Sequence, residues 1–276
     1  MAINDVHVRY WGSPATEELK ARVTRDPVIV LPLAATEQHG PHLPPSTDVD
    51  IGLGLLNETF SRLDPNTPSW SLPIETVGAS LEHKRYKATA SMTAYELERV
   101  IFEHGKRLST LGIRRLVISN SHGGNSGPIE SAALRLREEC ELLVIKANYF
   151  RFERPVNVDF PDVEWRHGLH GGAVETAMML HLQRETVRTD AITNFPSIAK
   201  ELEDRGSRIL PTGPAAFAWL AGDLNPLGVV GNAMLASEEI GRTLVAHYAT
   251  ILAHIIQDAS DFPIEKLKQR QRPRDT

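Results

Sequence analysis

Short apolar runs alternate with longer helical segments along this chain, and that alternation leaves few folds open to it. Val28-Ile-Val-Leu-Pro-Leu33 is short, continuous and partly β-branched. It is too brief for a helix and reads as a strand buried on both faces. Residues 71–77, 115–119 and 142–148 read as further strands. Helices separate them. Ser13-Pro14 followed by Thr16, Glu17 and Glu18 reads as an N-cap, a first-turn proline and an acidic first turn, opening a helix that ends near Arg25. Residues 48–63 read as the next helix, despite Gly52 and Gly54. Thr93-Ala-Tyr-Glu96 is a capping box. Leu97, Val100, Ile101, His104, Leu108 and Leu111 then keep one face until Gly112 supplies a stop. Residues 128–140, 171–182 and 237–256 complete the set, the last with Ile240, Leu244, Tyr248, Ile251 and Ile255 on its apolar face. Residues 195–232 are rich in Gly and Pro and read as loops around a site. This order predicts an α/β architecture with a largely parallel sheet, which binds ligands in the loops at its carboxyl edge.

Composition narrows the partners. A formal net charge of -5 over 276 residues offers no basic field for nucleic acid or an anionic membrane. The apolar runs fall far short of a membrane span. The first residues, Met1 to Val6, lack a basic stretch followed by an apolar one, so a cytoplasmic location is expected. Cys140 is the single cysteine, which removes any internal disulfide framework. The chain has no repeat or linker, and residues 1–276 are expected to form one domain. Eleven histidines stand out, because most lie beside Gly, Pro or acidic residues rather than in apolar runs.

Four segments carry chemistry, each at a strand end or a helix start. In Thr36-Glu37-Gln38-His39-Gly40-Pro41-His42-Leu43-Pro44, Glu37 and His39 are two apart. Extended backbone would put both on one face, as a ligand pair for a borderline divalent ion, the alternative being a capped loop with solvated side chains. Asp48 opens a helix, where aspartate usually caps; beside the Glu-x-His turn it gains weight as a carboxylate able to bridge two ions. Asp50 reads as dipole-compensating. Asn120-Ser-His122-Gly-Gly-Asn125 is a polar turn that lets backbone approach a ligand or another loop. A phosphate loop is the weaker reading there, since no Lys follows. In the turn 167–176, His170 and Glu175 can point into one cleft, although a first-turn Glu also compensates the dipole. His83 reads as a rim or surface-loop residue, His104 and His254 as ordinary helix residues, and Trp165 and Trp219 as core or pocket lining.

Together, residues 31–48, 120–125 and 170–176 resemble the creatininase family of metal-dependent amidohydrolases. Gly228-Val-Val-Gly231-Asn232, with residues 236–241, is similar to that family's C-terminal block. The resemblance spans nearly the whole chain in the expected order. It implies a three-layer α/β/α sandwich with a mostly parallel central sheet, two divalent ions (Zn, Mn or Fe), and hydrolysis of a C–N amide bond by an ion-activated water. Glu37, His39, Asp48 and His122 match the family's ligands, with Asp48 as the bridge; Glu175 matches a further ligand or close neighbour, and His170 a proton shuttle. The resemblance also implies a homo-oligomer, often a hexamer, acting on a small molecule.

Departures from the pattern matter. Members that hydrolyse creatinine resemble His-Tyr-Glu-Asn where this chain has His122-Gly123-Gly124-Asn125, and carry Glu where it has Leu169. A block resembling Phe-Pro-Gly-Thr stands here as Tyr86-Lys-Ala-Thr89. The expected substrate is therefore a cyclic amide, formamide or other small amide rather than creatinine. The His-Gly-Gly-Asn branch includes pyrimidine deformylases and a peptide-trimming enzyme. Peptide trimming, or hydrolysis or isomerisation of a cyclic ketone or sugar-like substrate on the same ions, is the alternative. A non-catalytic binding protein would not need a complete ligand set. The polar, basic tail 264–276 reads as a solvated terminus or an oligomer contact.

Overall fold

The structure is a computed structural model and describes residues 6–12 and 16–267. The Ser13-Pro14 cap and residues 268–276 of the basic tail lie outside the described residues. Strands β1 (Val28–Leu33), β2 (Ser69–Ser71), β3 (Arg115–Asn120) and β4 (Leu143–Asn148) form a sheet ordered β2-β1-β3-β4, with every pairing parallel. Leu33 pairs with Asn120, and Asn120 with Asn148, so three strands end level at the carboxyl edge.

Helices cover both faces. Ile29, Leu31 and Leu33 of β1 and Leu116 and Ile118 of β3 pack against Leu97, Ile101 and Leu108 of α3 (Ala94–Thr110) and Ile129 and Leu136 of α4 (Ser126–Cys140). The alternate residues Val28, Val30 and Val117 pack against Leu56 and Phe60 of α2 (Thr47–Arg62) and Leu252 and Ile256 of α9 (Glu238–Asp261). Both faces of each strand are therefore apolar, which is why the run in β1 shows no alternation in sequence. Each such side chain stabilises the fold by about 1.5–3 kcal/mol on burial. α6 (Ala173–Leu182) packs on α2 and α9 in a third cluster. Gly241 of α9 lies so close to the Ala177 backbone that a Cβ there would collide with it.

Both halves of the Thr93–Glu96 capping box form, Gly112 takes φ +87 after α3, and the Ser237 side chain caps α9. α1 spans Thr16–Val23. Two readings change. The strand expected over 71–77 is β2, Ser69–Ser71, because Pro73 cannot donate to the ladder; pairing resumes only as a bridge between Leu33 and Glu75. The segment 195–232 is not all loop. It contains α7 (Ile198–Asp204), α8 (Ala221–Leu224) and β6 (Gly231–Asn232), which pairs antiparallel with β5 (Asn194–Phe195). A further short helix, α5 (Asp162–His167), precedes α6. Among the described residues no helix is long and apolar enough to cross a membrane.

Candidate metal centre

The level strand ends place four segments side by side. β1 leads through Ala34 and Ala35 into the turn carrying Glu37 and His39. That turn is pinned where Glu37 N–H donates to Pro45 O (3.0 Å) and where Gly40, at φ +69, donates to Gln38 Oε1 (3.0 Å). A Cβ on Gly40 would lie 2.7 Å from a Val229 methyl, so only glycine makes this turn. Asp48 is in the first turn of α2, where its carbonyl accepts from Ser121 Oγ at 2.8 Å. His122 follows β3. Asn120 Nδ2 donates to Asn148 Oδ1 (2.8 Å), and Asn125 Nδ2 donates to Ala34 O (3.1 Å), tying the strand ends together. Glu175 enters from α6, its Oε2 accepting from Gly171 N–H at 2.6 Å.

All six residues singled out from sequence converge. His39 Nε2 lies 3.4 Å from Asp48 Oδ1 and 3.7 Å from Glu175 Oε2. His122 Nδ1 lies 3.3 Å from both Glu37 Oε1 and Asp48 Oδ2. His170 Nδ1 lies 3.6 Å from Glu37 Oε1. Both Glu37 oxygens, His39 Nε2 and Asp48 Oδ2 are buried without a hydrogen-bond partner. Buried carboxylates without donors are costly unless a cation faces them.

The outer hydrogen bonds orient each imidazole. His39 Nδ1 lies 3.1 Å from Glu37 O and donates to it, which turns Nε2 toward Asp48 and Glu175. His122 Nε2 donates to Ala79 O at 3.2 Å, which turns Nδ1 toward Glu37 and Asp48. His170 Nε2 donates to Gln38 O at 2.8 Å, aiming its Nδ1 lone pair inward. The His170 ring sits between His39 and His83, with centroids 4.1 and 4.2 Å away.

Electrostatics divides the histidines. Burial disfavours charge on His39, yet Asp48, Glu175 and Glu37 outweigh it and lift its pKa to about 9. His122 is raised well above the usual value, the pull of Glu37 and Asp48 exceeding the burial penalty. Burial holds His170 well below the usual value, with His39 and His83 adding to the effect. Burial would raise Glu37, but His122, His170 and His83 hold it below the ordinary carboxylate range. Burial pushes Glu175 up to about 7, against the pull of His39. The atoms that attract a proton here are of the donor types that divalent ions take. Three sets of ligand atoms, Glu37–His39–His170, Glu37–Glu82–His122 and His39–Asp48–Glu175, are close enough to hold one.

The rest of the shell differs from expectation in places. His83 is buried, not at the rim; its Nδ1 accepts from Gln38 Nε2 at 2.9 Å and its Nε2 lies 3.5 Å from Glu37 Oε1. His42 is equally buried, but its Nε2 meets Gly171 O and Thr176 Oγ1 and its ring stacks on Phe195. Asp50 accepts from Ser46 Oγ, His104 pairs with Glu75, and Trp165 packs on Phe160. Trp219 donates to Pro211 O. Glu164 carries no signal in the sequence. Its buried Oε1 accepts from Ala173 N–H and its Oε2 from Asn232 N–H, both at 2.7 Å, which locks the His170 turn to β6. Burial, together with the charges of Glu175 and Asp48, raises the Tyr149 hydroxyl well above its usual value.

The chain as a whole is similar to known proteins. The family model described as creatininase, creatinine amidohydrolase, matches residues 14–256. A mycofactocin precursor peptide peptidase of Mycobacterium ulcerans (strain Agy99) is 31% identical over 233 residues, 80% of each chain. The creatinine amidohydrolase of Pseudomonas putida is 27% identical over 269 residues, 91% of this chain and 96% of that one. The solved structure described as "Creatininase Mn" superposes with a TM-score of 0.75 at 24% identity, covering 93% of this chain and 99% of the other.

Proposed function

This chain belongs to the creatininase family, and from that membership we propose that it hydrolyses a C–N amide bond with two divalent ions held by Glu37, His39, Asp48, His122 and Glu175. The observation that carries this is the group of buried atoms without hydrogen-bond partners, contributed by Glu37, His39 and Asp48 to one cluster. Asp48 offers Oδ2 toward His122 and Oδ1 toward His39, the disposition a bridging carboxylate needs. Mixed nitrogen and oxygen donors suit Zn, Mn or Fe; the relative described as "Creatininase Mn" is a manganese example. Such ions, when bound, supply an activated water and polarise the amide carbonyl.

The chain's own groups do the rest. Gln38 O holds His170 in the tautomer whose Nδ1 lone pair faces the cluster, so that atom can take a proton and pass it to the leaving nitrogen. Burial keeps the imidazole neutral at rest, and therefore a strong acid once protonated. Glu175 links the two functions, since the oxygen near His39 also accepts from Gly171, next to His170.

The substrate favoured is a cyclic amide, formamide or other small amide, with Gly124 and Leu169 arguing against creatinine. A second reading, peptide trimming, is favoured by the identity to the mycofactocin precursor peptide peptidase across most of both chains. We further take residues 1–276 as one domain, working in the cytoplasm as a homo-oligomer. The test is a metal-stripped preparation assayed on creatinine, small cyclic amides, formamides, short peptides and keto-inositols, with and without Mn or Zn. Ion-dependent amide cleavage is expected. Full amidase activity without metal sinks the mechanism, and turnover of a keto-inositol alone favours the ketone alternative.

A further inference from the structure

One more carboxylate reaches the cluster. Glu82 sits in the short turn Leu81–His83, between exposed Leu81 and buried His83. Its side chain is 20% exposed, and its Oε1 lies 3.8 Å from His122 Nε2, too long for a hydrogen bond. Donor atoms of Glu82, Glu37 and His122 nevertheless all fall within 4.8 Å of one another. Glu82 thus turns a partly desolvated carboxylate toward Glu37, whose two buried oxygens have no donor of their own. Gathering like charges in this way is unfavourable unless a cation lies among them.

Gly124 makes the approach possible. A Cβ there would lie 2.6 Å from Glu82 Oε1 and 2.5 Å from His122 Nε2. Gly124 is not among the residues with positive φ, so it serves here to leave space and not to turn the backbone. With Glu82 included, the cluster holds four carboxylates, Glu37, Asp48, Glu82 and Glu175, whose full ionisation matches the charge of two divalent ions.

We propose that Glu82 is a ligand of the divalent ion held by Glu37, Asp48 and His122, a carboxylate supplied from the loop after β2. This rests on the metal-centre reading above. An added oxygen donor shifts the preference of that position toward Mn over Zn.

The experiment reads ion binding, not turnover. Metal-stripped wild type and Glu82→Gln, matched by circular dichroism, are titrated separately with MnCl2 and ZnSO4 in a calorimeter, and bound ions are counted by mass spectrometry after gel filtration. Wild type is expected to bind two ions per chain. Glu82→Gln is expected to keep one and to bind the second at least about tenfold more weakly, with the larger loss for Mn. Two ions at wild-type affinity in Glu82→Gln overturn the Glu82 assignment and leave the five-residue centre standing. A wild type that binds no ion overturns the centre itself. A crystal structure of the zinc-loaded wild type decides the matter independently of any variant. A Glu82 oxygen is expected about 2.0–2.2 Å from the ion, and a Glu82 carboxylate outside its coordination sphere overturns the proposal.

Discussion

Asp48 and His122 meet across the carboxyl edge of the sheet, Oδ2 to Nδ1, at 3.3 Å. The other oxygen of Asp48 stands 3.4 Å from His39 Nε2. One side chain therefore serves both halves of the cluster. Asp48→Ala is expected to reduce bound metal from two ions per chain to none and to cost more activity than the ~10–100-fold typical of an outer-sphere change. Metal counting on the purified variant checks this, and two retained ions contradict the bridging role.

His170 is expected to separate from the ligands in behaviour. Its inward atom, Nδ1, faces Glu37 Oε1 at 3.6 Å, while Nε2 is committed to Gln38 O. His170→Gln should lower kcat by roughly 10²–10⁴, the usual scale for a lost proton-transfer group, and leave the ion count at two. A fall to one ion would make His170 a ligand instead.

Stability of the metal-free protein should decline with rising pH above neutrality. His39 is raised to about 9 in the fold, so its contribution is complete below the ordinary histidine value and fades as pH climbs through about 9. Glu175, raised to about 7, contributes below the ordinary carboxylate value and has lost that contribution once pH passes about 7. The lowered groups act in the opposite sense. His83, at about 4, and His170 gain their contributions as pH rises toward the ordinary histidine value, and add nothing beyond it. Between pH 6.5 and 9 the His39 contribution therefore falls without opposition from them. Divalent ions compete with the same protons, so apparent affinity should strengthen across that interval. Thermal melts with and without Mn test both statements; a metal-free melting temperature that climbs over this range contradicts them.

What the sequence revealed follows from how local each signal is. Val28–Leu33 announced itself because both its faces are buried, and the parallel register then carried Glu37, His39 and His122 to one edge. Glu37, His39 and Asp48 lie close enough in sequence for their spacing to be informative. His83 and Glu82 were harder. No strand immediately precedes Ser80-Leu-Glu-His83, and tertiary contacts with Gln38, Glu37 and His170 draw the imidazole inward. Glu164 hides in a six-residue helix too short to show periodicity, with an acidic residue where acidic residues are ordinary. Its partners are backbone amides, which leave no trace in residue identity.

Glu164 supports the His170 turn from outside the ligand cluster. Its two oxygens each take a backbone N–H at 2.7 Å, from Ala173 and from Asn232, in a pocket made of glycines. A Cβ on Gly172 or Gly231 would come within 2.6 or 2.7 Å of Glu164 Oε1. Glu164→Gln keeps the shape but turns an amide NH2 against one of those donors. The loss of a charge-assisted bond, with a buried N–H left unpaired, should cost about 1.5–3 kcal/mol in denaturant unfolding. Ion stoichiometry should stay at two, because Glu164 touches none of the ligand atoms, while kcat falls as the His170 turn loosens. Unfolding free energy within about 0.5 kcal/mol of wild type, the range of an ordinary surface change, would remove Glu164 from the support of the site.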